Sequence, residues 1–237
     1  MSISSITLSR QVGLLAEMNT VANNIANATT TGYRREGVIF TEFVNATGTG
    51  PSVSLAAGRA RNIDLSQGIV TETGGRYDLA IQGEGFFLVE TPQGERLTRA
   101  GSFTPSPAGE LMTPDGHLLL DAGGAPVFAP PDAADVAIAA DGTVSADGAP
   151  LGQIGLFRPL DITALVREPA ALFRSDGGIE PVIEGSTILQ GRLEGANVNP
   201  VLEIARMIEV QRAYELGQAF LERESDRRSK LIDTLTR

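Results

Sequence analysis

Asn197-Val198-Asn199-Pro200 marks the point where this chain stops turning and begins to wind. All 13 prolines lie between Pro51 and Pro200, and beyond Pro200 the one glycine is Gly217. The first 50 residues also lack proline, and Gly13 is the one glycine ahead of Gly32. Proline and glycine both disfavour helix interiors, so the order reads helix, breaker-rich middle, helix.

The last helix is expected to begin at this tetrapeptide, with Asn199 as N-cap and Pro200 in the first helical position. Ile204, Met207, Tyr214, Leu221, Ile232 and Leu235 trace a seam of mostly three- and seven-residue steps, interrupted by Gln211, Gln218 and Arg228. A helix from Pro200 to Leu235 would be roughly 50 Å long, too long to hide its seam on a modest domain. It needs a partner. At the other end, Leu8, Val12, Leu15, Met18, Ala22 and Ile25 recur at spacings of three and four, which predicts a helix over about Ser4 to Ala28. Thr29-Thr30-Thr31-Gly32 supplies its stop. Arg10 and Glu17 are the charged side chains of residues 1–33, so even its polar face reads as sheltered.

Between the helices, short apolar runs alternate with turn signals: Leu79-Ala80-Ile81, Phe86-Phe87-Leu88-Val89, Leu118-Leu119-Leu120 and Ile154-Gly155-Leu156-Phe157. Asp-Gly pairs at Asp115, Asp141, Asp147 and Asp176 suit tight turns. Closely spaced strands without intervening helices predict an antiparallel sheet or small barrel. The expected class is α+β, with long N- and C-terminal helices packing as a coiled-coil-like bundle and a central, mostly antiparallel β domain. The expected division is an assembly helix over 1–33, an extended connector over 34–75, a β domain over 76–195 and a second assembly helix over 196–237.

Composition narrows the function. A net charge of −10 argues against nucleic-acid binding and against docking on an anionic membrane. No apolar run of about 18 residues is present to insert in a bilayer. The absence of cysteine removes disulfides and thiolate metal sites. Ala26-Asn27-Ala28 imitates a signal-peptidase site, but a basic leader is missing and Glu17, Asn19, Asn23 and Asn24 break the apolar stretch. Export, if it occurs, is expected by another route without cleavage.

No motif announces catalysis. His117, the one histidine, follows a turn and precedes three leucines, and reads as a strand residue. Gly83-Glu84-Gly85 lacks the third glycine and the helix of a dinucleotide site. Asp141 to Gly148 lacks the alternating ligands of a calcium loop and reads as two hairpin turns. Lys230 is the one lysine, so no phosphate-cradling lysine follows a glycine loop. Paired carboxylates of a cell-wall hydrolase remain an alternative that only three dimensions can test, though no tryptophan is present to stack on sugar. The expectation is a non-enzyme with no catalytic residues, cofactor or metal.

Asn19, Asn23 and Asn27 repeat every fourth position on the first helix, which implies hydrogen bonds to something outside it. The surrounding stretch, Val21-Ala22-Asn23-Asn24-Ile25-Ala26-Asn27-Ala28-Thr29-Thr30-Thr31-Gly32-Tyr33, closely resembles the N-terminal signature of flagellar rod and hook proteins. Asp78-Leu79-Ala80-Ile81-Gln82-Gly83-Glu84-Gly85-Phe86-Phe87 with Leu97-Thr98-Arg99-Ala100-Gly101-Ser102-Phe103 is similar to the central β motif of that family. Asn197-Val198-Asn199-Pro200 with Met207-Ile208-Glu209-Val210-Gln211-Arg212-Ala213-Tyr214-Glu215 is similar to its C-terminal helix.

Length and the Asn-Val-Asn-Pro lead-in resemble a proximal rod subunit; a distal rod subunit or a hook-type axial protein is the alternative. The resemblance implies a structural rod subunit crossing the periplasm, passed unfolded through the flagellar type III export apparatus, and joined to other rod subunits and copies of itself. Leu8, Val12, Leu15, Met18, Ile25, Met207, Val210, Tyr214 and Leu221 are expected to pack on the sister helix and on neighbouring subunits. Asn23, Asn24 and Asn27 are expected to set register, with Gly32, Tyr33, Asn197 and Asn199 completing the interface motifs. In the lone subunit the terminal helices are expected to be largely disordered, ordering only on assembly.

Overall fold

The computed structural model describes residues 3–45 and 53–235. It divides into two compact units. Met1–Asn27, Arg35–Asp64 and Val198–Arg237 form a helical unit; Ala28–Arg34 and Leu65–Asn197 form a β unit.

The helical unit holds α1 (Ile3–Ala26), α2 (Pro200–Leu235) and a ribbon of two antiparallel strands, β1 (Glu36–Asn45) and β2 (Val53–Ile63). The ribbon pairs Glu36 with Ile63 and Asn45 with Val53, slipping register once at Ile39/Phe40, as a bulge does. It occupies the stretch expected as a plain connector, whose residues 46–52 lie outside the described residues. Val38-Ile39-Phe40 and Phe43-Val44 explain the strands, being β-branched and aromatic. Asn199 caps α2 by accepting from the Val201 and Leu202 amides at 3.1 and 3.3 Å.

The expected coiled-coil-like bundle does not form. The structure has two long helices, α1 packs against the β1–β2 ribbon as well as α2, and the larger unit is antiparallel β. The reason lies in what α1 turns inward. Gln11, Leu14, Glu17, Thr20, Val21 and Asn24 are buried, at the three- and four-residue spacing of one helix face. A coiled coil needs an unbroken apolar seam on both helices. Here four of those six inward side chains are polar.

In the β unit every strand pairing is antiparallel. Its first strands are β3 (Val70–Glu72), β4 (Leu79–Gln82), β5 (Phe86–Thr91) and β6 (Gly94–Thr98). β5 lies at the centre, bonded to β6, to Leu118–Leu119 and to Leu156–Pro159. The unit's last strands return to its first: Thr187–Gln190 pairs with β4 and Arg192–Glu194 with β3. Leu79, Ile81, Phe87, Val89, Leu111, Leu119, Val144 and Ile188 belong to one buried cluster, with the Phe87 and Phe103 rings edge-on at 5.4 Å. Asp147-Gly148 joins Thr143–Ala146 to Ala149–Gln153, with φ of 50° and 83°. Two positive φ values are what a two-residue hairpin turn matching strand twist requires.

Candidate assembly interface

The inward face of α1 is held by pairs far apart in sequence. The Asn24 side chain accepts from the Glu36 amide at 3.0 Å and donates to the Glu36 carbonyl at 2.8 Å and to Glu203 Oε2 at 3.0 Å. Glu203, itself buried, accepts from Arg35 Nε at 2.6 Å. Two turns back on α1 and one turn on along α2, Glu17 accepts from Arg206 at 2.6 Å, and this bond raises the Arg206 pKa above its ordinary value. Farther along, Gln11 donates to the Tyr214 carbonyl at 2.9 Å. Gly217 makes room for it, since a Cβ there would stand 2.2 Å from Gln11 Nε2. These bonds fix the register of α1 on α2 by polar complementarity.

The apolar stripe of α1 faces the other way. Leu8, Val12 and Leu15 are 58, 64 and 46% exposed, with Asn19, Ala22 and Asn23 continuing along the same exposed side. On α2, Val201, Ile204, Ile208 and Leu216 are exposed opposite the side that carries Glu203, Val210 and Gly217. α1 thus turns mostly polar groups toward its own chain, and both helices leave large apolar side chains exposed. Ordinary surface helices do the reverse.

The residues expected to form the interface fall in three places. Leu8, Val12, Leu15 and Asn23 lie on the outward side of α1, while Met18, Ile25 and Asn27 are half-buried. Asn24 and Val210 are buried in their own chain, and Met207, Tyr214 and Leu221 are half-buried. Gly32 and Tyr33 are buried in the β unit, which also holds Asn197; Asn199 caps α2. Ile204 of the expected α2 seam is exposed, and exposed Val201, Leu202, Ile208, Leu216 and Phe220 were not among the expected residues. Their signal was present as an apolar run beside the capping proline, but periodicity alone does not say which of two faces a helix turns to its own chain.

The β unit carries a buried charge cluster that sequence reading missed. Glu194 is fully buried, with Arg34 Nη1 at 2.7 Å and Arg99 Nη1 at 3.1 Å from its two oxygens. Burial pulls the Arg99 pKa down to about 10, against the upward pull of Glu194; it stays charged at neutral pH. Tyr33-Arg34-Arg35 beside the glycine stop was the available hint. Among the described residues no group of three or more His, Cys, Asp or Glu side chains is placed to hold a metal ion.

Comparison with known proteins agrees with these elements. Residues 8–34, covering most of α1, match the family described as flagella basal body rod protein. Residues 80–146 match the flagellar hook protein FlgE/F/G D1 domain, and residues 189–234 the flagellar basal body rod FlgEFG protein C-terminal family. Flagellar basal-body rod protein FlgF of Caulobacter vibrioides is 43% identical over 217 residues, 89% of this chain and 88% of that protein. FlgF of Mesorhizobium japonicum is 38% identical over 97% of this chain and 96% of its own. FlgG of Agrobacterium fabrum is 31% identical over 84 and 86%. The chain belongs to the flagellar basal-body rod proteins, a family of structural subunits of the flagellum. Within that family its likeness is to FlgF rather than to FlgG.

Proposed function

We propose that this rod subunit polymerises through the outward faces of α1 and α2, joining copies of itself and neighbouring rod subunits into a helical shaft across the periplasm. A heterologous contact whose rotation does not close builds such a filament. The β unit would form the outer layer that stiffens the shaft for torque, and the helices would line the path followed by exported subunits. Delivery by the flagellar type III export apparatus fits a chain that orders its helices late.

One observation carries this reading: the exposed stripe of Leu8, Val12 and Leu15 coexists with a polar inward face on the same helix. Burying three such side chains between subunits would contribute about 1.5–3 kcal/mol each. Asn23 and the half-buried Met207, Tyr214 and Leu221 belong to the same proposal as residues that orient or border the contact; Gly32, Tyr33 and Asn197 lie inside the β unit and take no part in it.

The test is a Leu8→Ser, Val12→Ser double variant expressed in a strain lacking the native subunit. Expected are normal melting of the purified chain, absence from isolated basal bodies and loss of motility. Wild-type motility with normal basal bodies would overturn the reading.

A further inference from the structure

The chain passes between its two units at 27/28, 34/35, 64/65 and 197/198. Inside the β unit each passage runs within about four residues of a group bonded to Glu194, three through its carboxylate or its own strand and one through its main-chain carbonyl, a spacing short enough for one residue to govern all of them. Arg34 binds its Oε1 at 2.7 Å, and the Gly68 amide donates to the same oxygen at 2.8 Å. Arg99 binds the other oxygen, and the Gly32 amide donates to the Glu194 carbonyl at 2.7 Å. Gly32 sits at φ +67° against the Arg99–Ala100 backbone, where a Cβ would lie 2.2 Å from the Ala100 nitrogen. Asn197 closes the set, its amide donating to the Tyr33 carbonyl and its side chain to the Ser66 carbonyl.

The charges in this knot are unequal. Two buried guanidiniums face one buried carboxylate. Arg34 is wholly buried, and its Nε and Nη2 have no hydrogen-bond partner among the described residues. Its retention inside the unit therefore hangs on Glu194. Arg167 adds a second hold, donating to the Arg34 carbonyl while stacked 4.2 Å from the Tyr33 ring centre and 4.9 Å from that of Phe173. Glu194 also comes from far along the chain, on the strand that pairs with β3. Before it is placed, Arg34 and Arg99 repel each other.

We propose that Glu194 is a latch: it fixes the β-unit ends of all four passages at once, and can open while the core around β5 stays folded. The latch governs how stiffly the passages are held and depends on no claim about filament contacts.

Hydrogen exchange on the full-length purified chain tests it. In Glu194→Gln, the Gly32 and Gly68 amides should exchange about a hundredfold faster, because two buried cations lose their counter-charge, while Val89 and Leu97 keep their protection. In Arg34→Met, which leaves Arg99 and Glu194 matched one to one, only Gly32 should speed up, by about tenfold, with Gly68 unchanged. Unchanged Gly32 and Gly68 in Glu194→Gln would overturn the latch. So would equal loss of protection at Val89, which would make Glu194 an ordinary element of global stability. If Glu194→Gln does not fold, Arg34→Met decides: unchanged Gly32, or a loss that reaches Val89, refutes the proposal.

Discussion

The two units solve opposite problems. Among the described residues the helical unit buries Leu14, Val21, Ile63 and Val210 as its apolar side chains, and surrounds them with Gln11, Glu17, Thr20, Asn24, Glu36 and Glu203. The β unit buries a continuous apolar cluster from Leu79 to Ile188, beside which Arg34, Thr91, Arg96, Thr98, Arg99, Thr113 and Glu194 are also buried. Apolar burial is non-specific and strong, whereas polar pairing is specific and nearly neutral in net energy. The β unit therefore carries its own apolar core. On the proposed function, the helical unit would gain further apolar burial from neighbouring subunits.

The sharpest way to break that contrast is hydrogen exchange on the lone, full-length chain. Amides of residues 5–28 are expected to exchange at least about a thousandfold faster than those of β5. Strong protection of α1 in a monomeric sample would show that the helical unit needs no neighbour. The next largest effect belongs to Phe87→Ala. It should cost about 3–5 kcal/mol in denaturant unfolding followed by β-sheet circular dichroism, whereas Val12→Ala in the same assay should stay within about 0.5 kcal/mol.

Asn24→Ala probes the polar seam itself. It strips partners from the Glu36 backbone and from Glu203, and should cost about 1–3 kcal/mol, seen as faster exchange in α1 with β5 untouched. Smaller still is Gly217→Ala. Its gain of up to about 1 kcal/mol in helix propensity is offset by displacing the Gln11 amide, so α2 helicity should change little while the Gln11 side-chain amide resonance shifts.

The smallest effect lies at the β-unit turns. Asp141 and Asp161 accept bonds from Thr143 and Thr163, which hold both carboxyls below the usual aspartate range. A depressed folded pKa means the turn contribution is present above the ordinary aspartate value and lost as pH falls through the depressed one. Carboxyl chemical shifts titrating at the ordinary value would contradict this.

Much of the β unit was readable because its signals are local. Phe86 to Val89, the Asp-Gly turns and the Asn199-Pro200 start each announce themselves within a few residues. What failed was non-local. Gln11 with Tyr214, Glu17 with Arg206 and Asn24 with Glu203 are about 180 to 200 residues apart in sequence, and no period joins them. Without those partners, the apolar stripe of α1 was the natural choice for an intrachain seam, which produced the expectation of a bundle. The β1–β2 ribbon was hidden differently: glycine, threonine and serine diluted the Val38-Ile39-Phe40 signal. Arg34 and Glu194 were invisible because a buried ion pair looks, in sequence, like two surface charges.

The helical unit is sewn from three separate stretches of chain. A single cut anywhere in residues 65–197 would leave α1 on one product and α2 on the other, so neither fragment would carry a whole helical unit. Such a nick sets free no intact helical unit; the damaged copy either keeps both pieces together or loses the pairing of α1 with α2.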